Sequence, residues 1–276
     1  MQEKIRLTER EKIPFFSLPL WEKMNICGHG FSSRLGGTGV GKNFSFDLGF
    51  KGGEDPLKVV ENRERFLAIW GKKTTDLFCG EQVHGTGVAI IGSEEISASK
   101  RVFPATDALI TAEREAVLGA FSADCLLVFF LEPSIPVVGI AHAGWRGTCK
   151  GIVARVVHLM KEKFAADCQK IQVSMGPSIG PCCYEVGDEV IESCHLSPWK
   201  KEMVLNPGGT AGRYYFDLKA SNGNILLKEG IKPKHIFTND FCTKCDDNLF
   251  YSYRRAGGTA TGSHMGIIFL RNCGVR

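Results

Sequence analysis

The apolar positions of this chain follow two rhythms. A helical one appears three times. Asp55 before Pro56 reads as an N-cap with proline at the first helical position, and predicts a helix to about Trp70. Val59, Phe66 and Trp70 fall on one side of it, and so does Arg63. A second helix is predicted from about Cys149 to Phe164, with Ile152, Val153, Val156, Val157, Met160 and Phe164 at helical spacing. A third starts at Asp217 and ends near Gly230, with Pro233 beyond it as a stop signal. The other rhythm is a series of strand-sized apolar runs at 117–121, 126–131, 136–141, 171–175, 234–238, 249–253 and 265–270. Glycine pairs such as Gly36-Gly37, Gly52-Gly53 and Gly208-Gly209 mark turns between elements. Strands outnumber helices and short turns join several of them. The pattern predicts an α/β (α+β) fold, one compact domain over 1–276 with mixed, largely antiparallel sheets flanked by helices.

Composition narrows the function classes. With 43% hydrophobic and 23% charged residues the chain can bury a sizeable core. Its net charge of +4 is mild and no run of five Lys/Arg occurs, so no nucleic-acid partner is expected. The apolar runs are too short to cross a bilayer, and the charged N-terminus lacks the apolar stretch of a signal peptide. A cytoplasmic location without membrane partners follows as the expectation. The odd count of eleven cysteines fits a reduced compartment better than a disulfide framework.

The richest stretch runs from Ser122 through Asp124, Cys125 and the apolar run to Leu131, turns at Glu132–Pro136, and continues through His142 to Gly147. It reads as strand, turn, strand. With the turn centred on Pro133-Ser134, antiparallel pairing sets Cys125 opposite His142, beside Gly144. A Cys–His pair supports two chemistries: the imidazole can activate the thiol as a nucleophile, or both can bind a metal that needs a third ligand and an open position. His84, in the polar loop Glu81–Gly85, is the candidate third ligand. Cysteine with two histidines matches a catalytic zinc set. Alternatively His84 simply satisfies its loop.

At these residues the chain resembles the YfiH family of bacterial laccase-domain proteins, also described as polyphenol-oxidase-like or FAMIN-type. The resemblance rests on His29–Gly37, Asn62-Arg63, Gln82–Gly85, Asp107–Thr111, Ala123–Cys125, Ala141–Thr148, Gly176–Gly187, Cys242–Cys245 and Leu249–Arg255, in that order along nearly the whole chain. It implies a compact α/β fold akin to cysteine-hydrolase-like toxins such as cytotoxic necrotizing factor. It also implies a Zn2+ (or Cu2+) ion held by His84, Cys125 and His142, and purine-nucleoside chemistry: phosphorolysis of adenosine, inosine and methylthioadenosine, with adenosine deamination. Some members are linked to peptidoglycan editing. Two departures stand out: Leu127 occupies a position where the family often has proline, and the segment Thr259–His264 is variant.

Deamination would have a metal-activated water attack C6 of adenosine, yet the H-x-E with P-C-x-x-C pattern of known zinc deaminases is absent. Asp124 is a proton-transfer candidate by adjacency alone, and strand alternation points it away from Cys125. Phosphorolysis needs partners for phosphate. Arg63 and Arg146 offer planar bidentate forks, an internal carboxylate partner being the alternative for Arg63, and Gln82 is a candidate base or ribose contact. Cys242 and Cys245 form a lone C-x-x-C, while Cys182 and Cys183 are adjacent and not spaced. All four are expected to serve packing or turn geometry. His158, His195 and His235 are expected to be structural. Three other readings stand beside the nucleoside enzyme: a metal-free Cys125–His142 hydrolase acting on amides or peptidoglycan precursors, a copper-dependent polyphenol oxidase, and a non-catalytic nucleotide- or metal-binding module. Seven histidines with no His-x-His pair do not suit a multicopper set.

Overall fold

A computed structural model describes residues 3–37, 46–209 and 212–272. Two large sheets stack face to face. One has seven strands in the order Arg6–Arg10, Ile13–Ser17, Cys27–Ser32, His264–Leu270, Val117–Ser122, Leu77–Gly80 and Val102–Phe103. Its first five are antiparallel neighbours and the last two pair in parallel. The other has six strands: Ile236–Phe237, Gln172–Met175, Leu126–Glu132, Val137–Ala143, Ala108–Thr111 and Val88–Ile91. Its central neighbours are antiparallel and its two edge pairs parallel. A small three-stranded antiparallel sheet (Glu185–Val186, Tyr214–Phe216, Leu205–Pro207) lies apart from both. The mixed, largely antiparallel architecture is the one the apolar pattern predicts.

The run Leu126–Leu131 is apolar at every position because both of its faces are covered. Leu127, Phe129 and Leu131 join Phe31, Leu118 and Ile268 in the core between the sheets. Leu126, Val128 and Phe130 face the other way, into the core under the helices Ile152–Phe164 and Leu218–Lys228. A third core lies outside the seven-stranded sheet, where Phe66 of the helix Pro56–Ala68 meets Phe15, Ile267 and Phe269. The layers therefore run helix, sheet, sheet, helices. Gly266 permits the sheet–sheet approach: a Cβ there would sit 2.8 Å from Leu127 and Phe129 side-chain carbons.

Local chemistry sets the helix limits. The carboxylate of Asp55 accepts from Leu57 N, and that of Asp217 from Ala220 N, both at 2.9 Å, so both caps act as read. The second helix differs from expectation. Gly151, at φ +73°, separates a short helix Trp145–Cys149 from Ile152–Phe164. Residues 249–253 are not a strand, because turns and side chains, and not a ladder, satisfy their backbone: Leu249 N and Phe250 N both donate to Asp246 O at 3.0 Å. Tyr251 N donates to His264 Nε2 at 2.8 Å, and Phe250 O accepts from the Arg255 guanidinium. Phe250 itself stacks on Phe16 in the inter-sheet core. The 234–238 run shrinks to Ile236–Phe237, since Pro233 opens a 3₁₀ turn before it.

Candidate active site

The hairpin that carries Cys125 and His142 pairs two residues away from the expected register. Glu132, fully buried, accepts from Ser134 N at 3.0 Å and Ile135 N at 2.6 Å, so residues 133–136 form the turn. Val137 then faces Glu132, and His142 faces Leu127 in place of Cys125. An even slip keeps every side chain on its own face, so His142 still points to the same side. Cys125 lies just before the strand, following Asp124 at φ +98°, and its thiol folds over Gly144. A Cβ on Gly144 would lie 2.9 Å from Cys125 Sγ and 3.1 Å from His84 Cδ2. Glycine is what lets the three segments meet.

His84 arrives from the loop between Leu77–Gly80 and Val88–Ile91, in a left-handed conformation (φ +59°). One carboxylate holds that conformation. Asp107, at the foot of Ala108–Thr111, accepts from the backbone N–H of Val83 (3.2 Å), His84 (3.0 Å) and Gly85 (2.7 Å). Its Oδ1 also lies 2.9 Å from His142 Nδ1. Asp107 thus fixes the loop that carries one histidine and the ring of the other, leaving His142 Nε2 as the nitrogen that faces Cys125. Sequence reasoning did not single Asp107 out as a site residue, although a carboxylate placed just before an apolar strand was the available signal.

The donor atoms of His84, Cys125 and His142 lie within 4.8 Å of one another, and the two imidazole centroids are 4.8 Å apart. Exposure is graded: His142 is 3% exposed, Cys125 half-buried and His84 open to solvent. Burial works to raise the Cys125 thiol, but the positive charge of His142 and hydrogen bonds from His142 and His84 bring it down to about 6. Burial likewise works to lower His142, and the Cys125 thiolate together with Asp107 lifts it to about 9. For Asp107, burial is outweighed by hydrogen bonds from His142, Gly85 and Val83, which hold it below the usual carboxylate range. Without a metal the arrangement is a thiolate–imidazolium pair braced by a carboxylate. It also fits a metal: one sulfur and two imidazole nitrogens, one histidine held by an outer carboxylate and one side open, is the donor set of a catalytic zinc site.

The remaining candidates lie around this point. Gln82 spends its side-chain amide on the backbone of Phe121, donating to its carbonyl and accepting from its N–H at 2.7 Å each. It ties the His84 loop to the strand that leads into Cys125. Arg63 has no carboxylate within salt-bridge distance among the described residues. Its Nε donates to Leu48 O at 2.7 Å, and its guanidinium lies between the rings of Phe50 and Phe121, 4.2 and 4.3 Å from their centroids. Arg146 stacks 4.0 Å over Trp145 and pairs with Glu189 at 2.6 Å. Asp124 faces away from the thiol: its carboxylate accepts from Thr243 Oγ1 (2.5 Å), Ser252 Oγ (3.0 Å) and Arg254 N (2.7 Å). It is a structural anchor, turned from Cys125 by a left-handed backbone ahead of the strand and not by strand alternation. His29 and His264 are buried acceptors of the Leu18 and Tyr251 N–H, each at 2.8 Å, and His158 bonds Glu229 at 2.6 Å.

The model of the family described as multi-copper polyphenol oxidoreductase laccase matches residues 28–271. The chain belongs to this family. This laccase-domain protein is 36% identical over 254 residues to purine nucleoside phosphorylase YlmD of Geobacillus stearothermophilus, covering 88% of this chain and 89% of that one. It is 31% identical over 219 residues to adenosine deaminase RL5 from an unknown prokaryotic organism, covering 78% and 83%. It is 32% identical over 253 residues to purine nucleoside phosphorylase YfiH of Escherichia coli, covering 92% and 98%. The crystal structure of the Geobacillus YlmD superposes with a TM-score of 0.84 over 96% of the laccase-domain chain and 99% of its own. No helix among the described residues is long and apolar enough to cross a membrane.

Proposed function

We propose that this laccase-domain protein is a purine nucleoside phosphorylase with adenosine deaminase activity, and that His84, Cys125 and His142 hold a Zn2+ ion at its centre. The convergence of those three donors on one solvent-reachable point carries the proposal. The activities named for its relatives supply the substrate class. A zinc ion held there would supply Lewis-acid chemistry toward an oxygen of the substrate or of water. Asp107 orients His142 so that Nε2 and the Cys125 sulfur present lone pairs to the same point. His84, on the open side, forms the rim over which a nucleoside enters.

In phosphorolysis a phosphate oxygen attacks C1′ of the ribose, the N-glycosidic bond breaks and the purine leaves. Arg63 and Arg146 are the proposed phosphate partners. The terminal amino groups of Arg63 carry no hydrogen bond among the described residues, its Nε alone being used, whereas Arg146 must share its fork with Glu189. Gln82 acts on the substrate through the loop it holds. Incubation with adenosine, inosine and methylthioadenosine, with and without phosphate, tests the proposal by chromatography. Ribose 1-phosphate formed only with phosphate, and inosine formed from adenosine without it, are the expected products. If neither forms, the nucleoside reading is wrong.

One observation favours a second reading. A thiol brought down to about 6 beside an imidazole raised to about 9, with Asp107 behind it, is the charge state of a cysteine hydrolase. Amides and peptidoglycan precursors are the substrates to assay for it. Protein freed of metal with a chelator separates the two readings, because the Cys125–His142 pair needs no ion whereas the nucleoside enzyme does.

A further inference from the structure

Outside the active site, four sulfurs from two distant segments converge. Cys182 and Cys183 lie in the loop after Gly180, and Cys242 and Cys245 flank the turn Thr243-Lys244. Cys183 Sγ is 3.3 Å and Cys182 Sγ 3.7 Å from Cys245 Sγ, and all four sulfurs lie within 4.8 Å of one another. These separations exceed a disulfide bond of about 2.05 Å. They match the spacing of about 3.8 Å between sulfurs that share one tetrahedral ion at about 2.3 Å each.

The backbone is arranged to receive negative sulfur. Cys242 Sγ accepts the N–H of Gly180 at 3.3 Å, and the nearby backbone N–H groups of Lys244 and Cys245 also favour its thiolate. Donors turned onto the first sulfur of a C-x-x-C turn stabilise it as a thiolate. Gly180 fits because it lacks a side chain: a Cβ there would lie 3.3 Å from Cys182 Sγ and 3.6 Å from Cys242 Sγ. Cys182 and Cys245 are exposed, so an ion has an open approach.

We infer that Cys182, Cys183, Cys242 and Cys245 form a second metal site, a tetrathiolate for a thiophilic divalent ion of the zinc class. On binding, the four thiols release four protons to solvent and the filled site carries a net charge of −2. With no open coordination position the ion is structural, not catalytic. Its place in the fold gives it a task. Ile179 N donates to Asp124 O at 2.9 Å, and Thr243 Oγ1 donates to the Asp124 carboxylate at 2.5 Å. The two cysteine segments therefore grip the residue before Cys125, and an ion joining them locks the base of the active-site cysteine. The site is independent of the nucleoside reading.

The test is metal content per full-length chain, expressed with zinc and measured by native mass spectrometry and elemental analysis. Wild type should hold two ions, the Cys182→Ser/Cys245→Ser variant one, and the His84→Ala/His142→Ala variant the other one. Wild-type protein provides a measurement that does not depend on a variant folding. With the site loaded, iodoacetamide should modify these four cysteines slowly, and a chelator should speed the reaction at least tenfold. The inference is overturned if the wild type holds only the ion that the histidine variant loses, or if alkylation at these positions is equally fast with and without chelator. A disulfide joining the two segments in freshly purified protein would also overturn it.

Discussion

Asp107→Asn changes almost no volume but removes a charge and half of an acceptor. In the native protein Oδ1 serves His84 N (3.0 Å) and His142 Nδ1 (2.9 Å), while Oδ2 serves Val83 N (3.2 Å) and Gly85 N (2.7 Å). An asparagine has one oxygen, so its NH2 must face one of these pairs. With the oxygen toward Val83 and Gly85, the NH2 donates to His142 Nδ1. The imidazole proton then moves to Nε2, the face turned to Cys125, and the His84 N–H loses its acceptor. With the amide reversed, His142 keeps its tautomer but two loop N–H groups are orphaned. An orphaned buried N–H costs about 1–3 kcal/mol, and the partial exposure of this loop favours the low end, so stability should fall by about 1–3 kcal/mol in total. Loss of an outer carboxylate behind a ligating histidine lowers metal affinity or activity about 10–100-fold. The assay is turnover of adenosine with phosphate, together with zinc affinity by chelator competition, on variant protein shown to be folded by circular dichroism. Turnover within twofold of wild type, at unchanged zinc affinity, would refute the reasoning that Asp107 sets the tautomer of His142.

Three further outcomes are expected. Gly144→Ala places a Cβ 2.9 Å from Cys125 Sγ, at an ordinary φ of −66°, so metal affinity should fall more than about tenfold; unchanged affinity in a chelator titration would count against the convergence. Gly266→Ala inserts a methyl 2.8 Å from Leu127 and Phe129, so chemical denaturation should register a loss of about 1–3 kcal/mol with metal content intact. His29 and His264 are buried neutral, their pKa values depressed by burial from 6.5 to about 3. The unfolded chain therefore binds more protons between those values, so stability is full above pH 6.5 and declines as pH falls toward 3. The loss by pH 5 is about 2 kcal/mol for each histidine. Urea unfolding at pH 7.5 and pH 5 checks it, and His264→Gln should flatten the slope; an equal slope in the variant would show that His264 does not carry the effect.

The fold was legible where burial decides local structure. The run 126–131 read as a strand because six apolar residues in sequence can only be covered on both faces, and here they are, by the inter-sheet core on one side and the helices on the other. The helix caps at Asp55 and Asp217 were legible because capping is a contact between near neighbours in sequence. Segment 249–253 misled because an apolar run suggests a strand, while its hydrogen bonds come from a turn closing on Asp246 and from His264 and Arg255. The hairpin register depended on the Glu132 carboxylate folding back over Ser134 and Ile135, a side-chain bond invisible to a count of turn residues.

The site divides along the same physical line. His84, Cys125 and His142 stood out because each is a chemically distinctive side chain. Asp107 did not, because its role is defined by three N–H groups of a loop whose left-handed turn at His84 it creates and rewards at once. Neither the loop nor the carboxylate has that meaning alone. The cysteine cluster extends the point. Adjacent Cys182 and Cys183 fail every spacing rule for a metal motif, because those rules describe ligands on one rigid turn. Here the second pair arrives from about sixty residues away, and the parallel pairing of Ser178 with Cys242 brings the two segments into register. A spacing rule tests whether a short segment can form half a site. Whether two halves meet is a property of sheet topology, so an unpaired C-x-x-C in a chain rich in cysteine leaves the metal question open until the strands are placed.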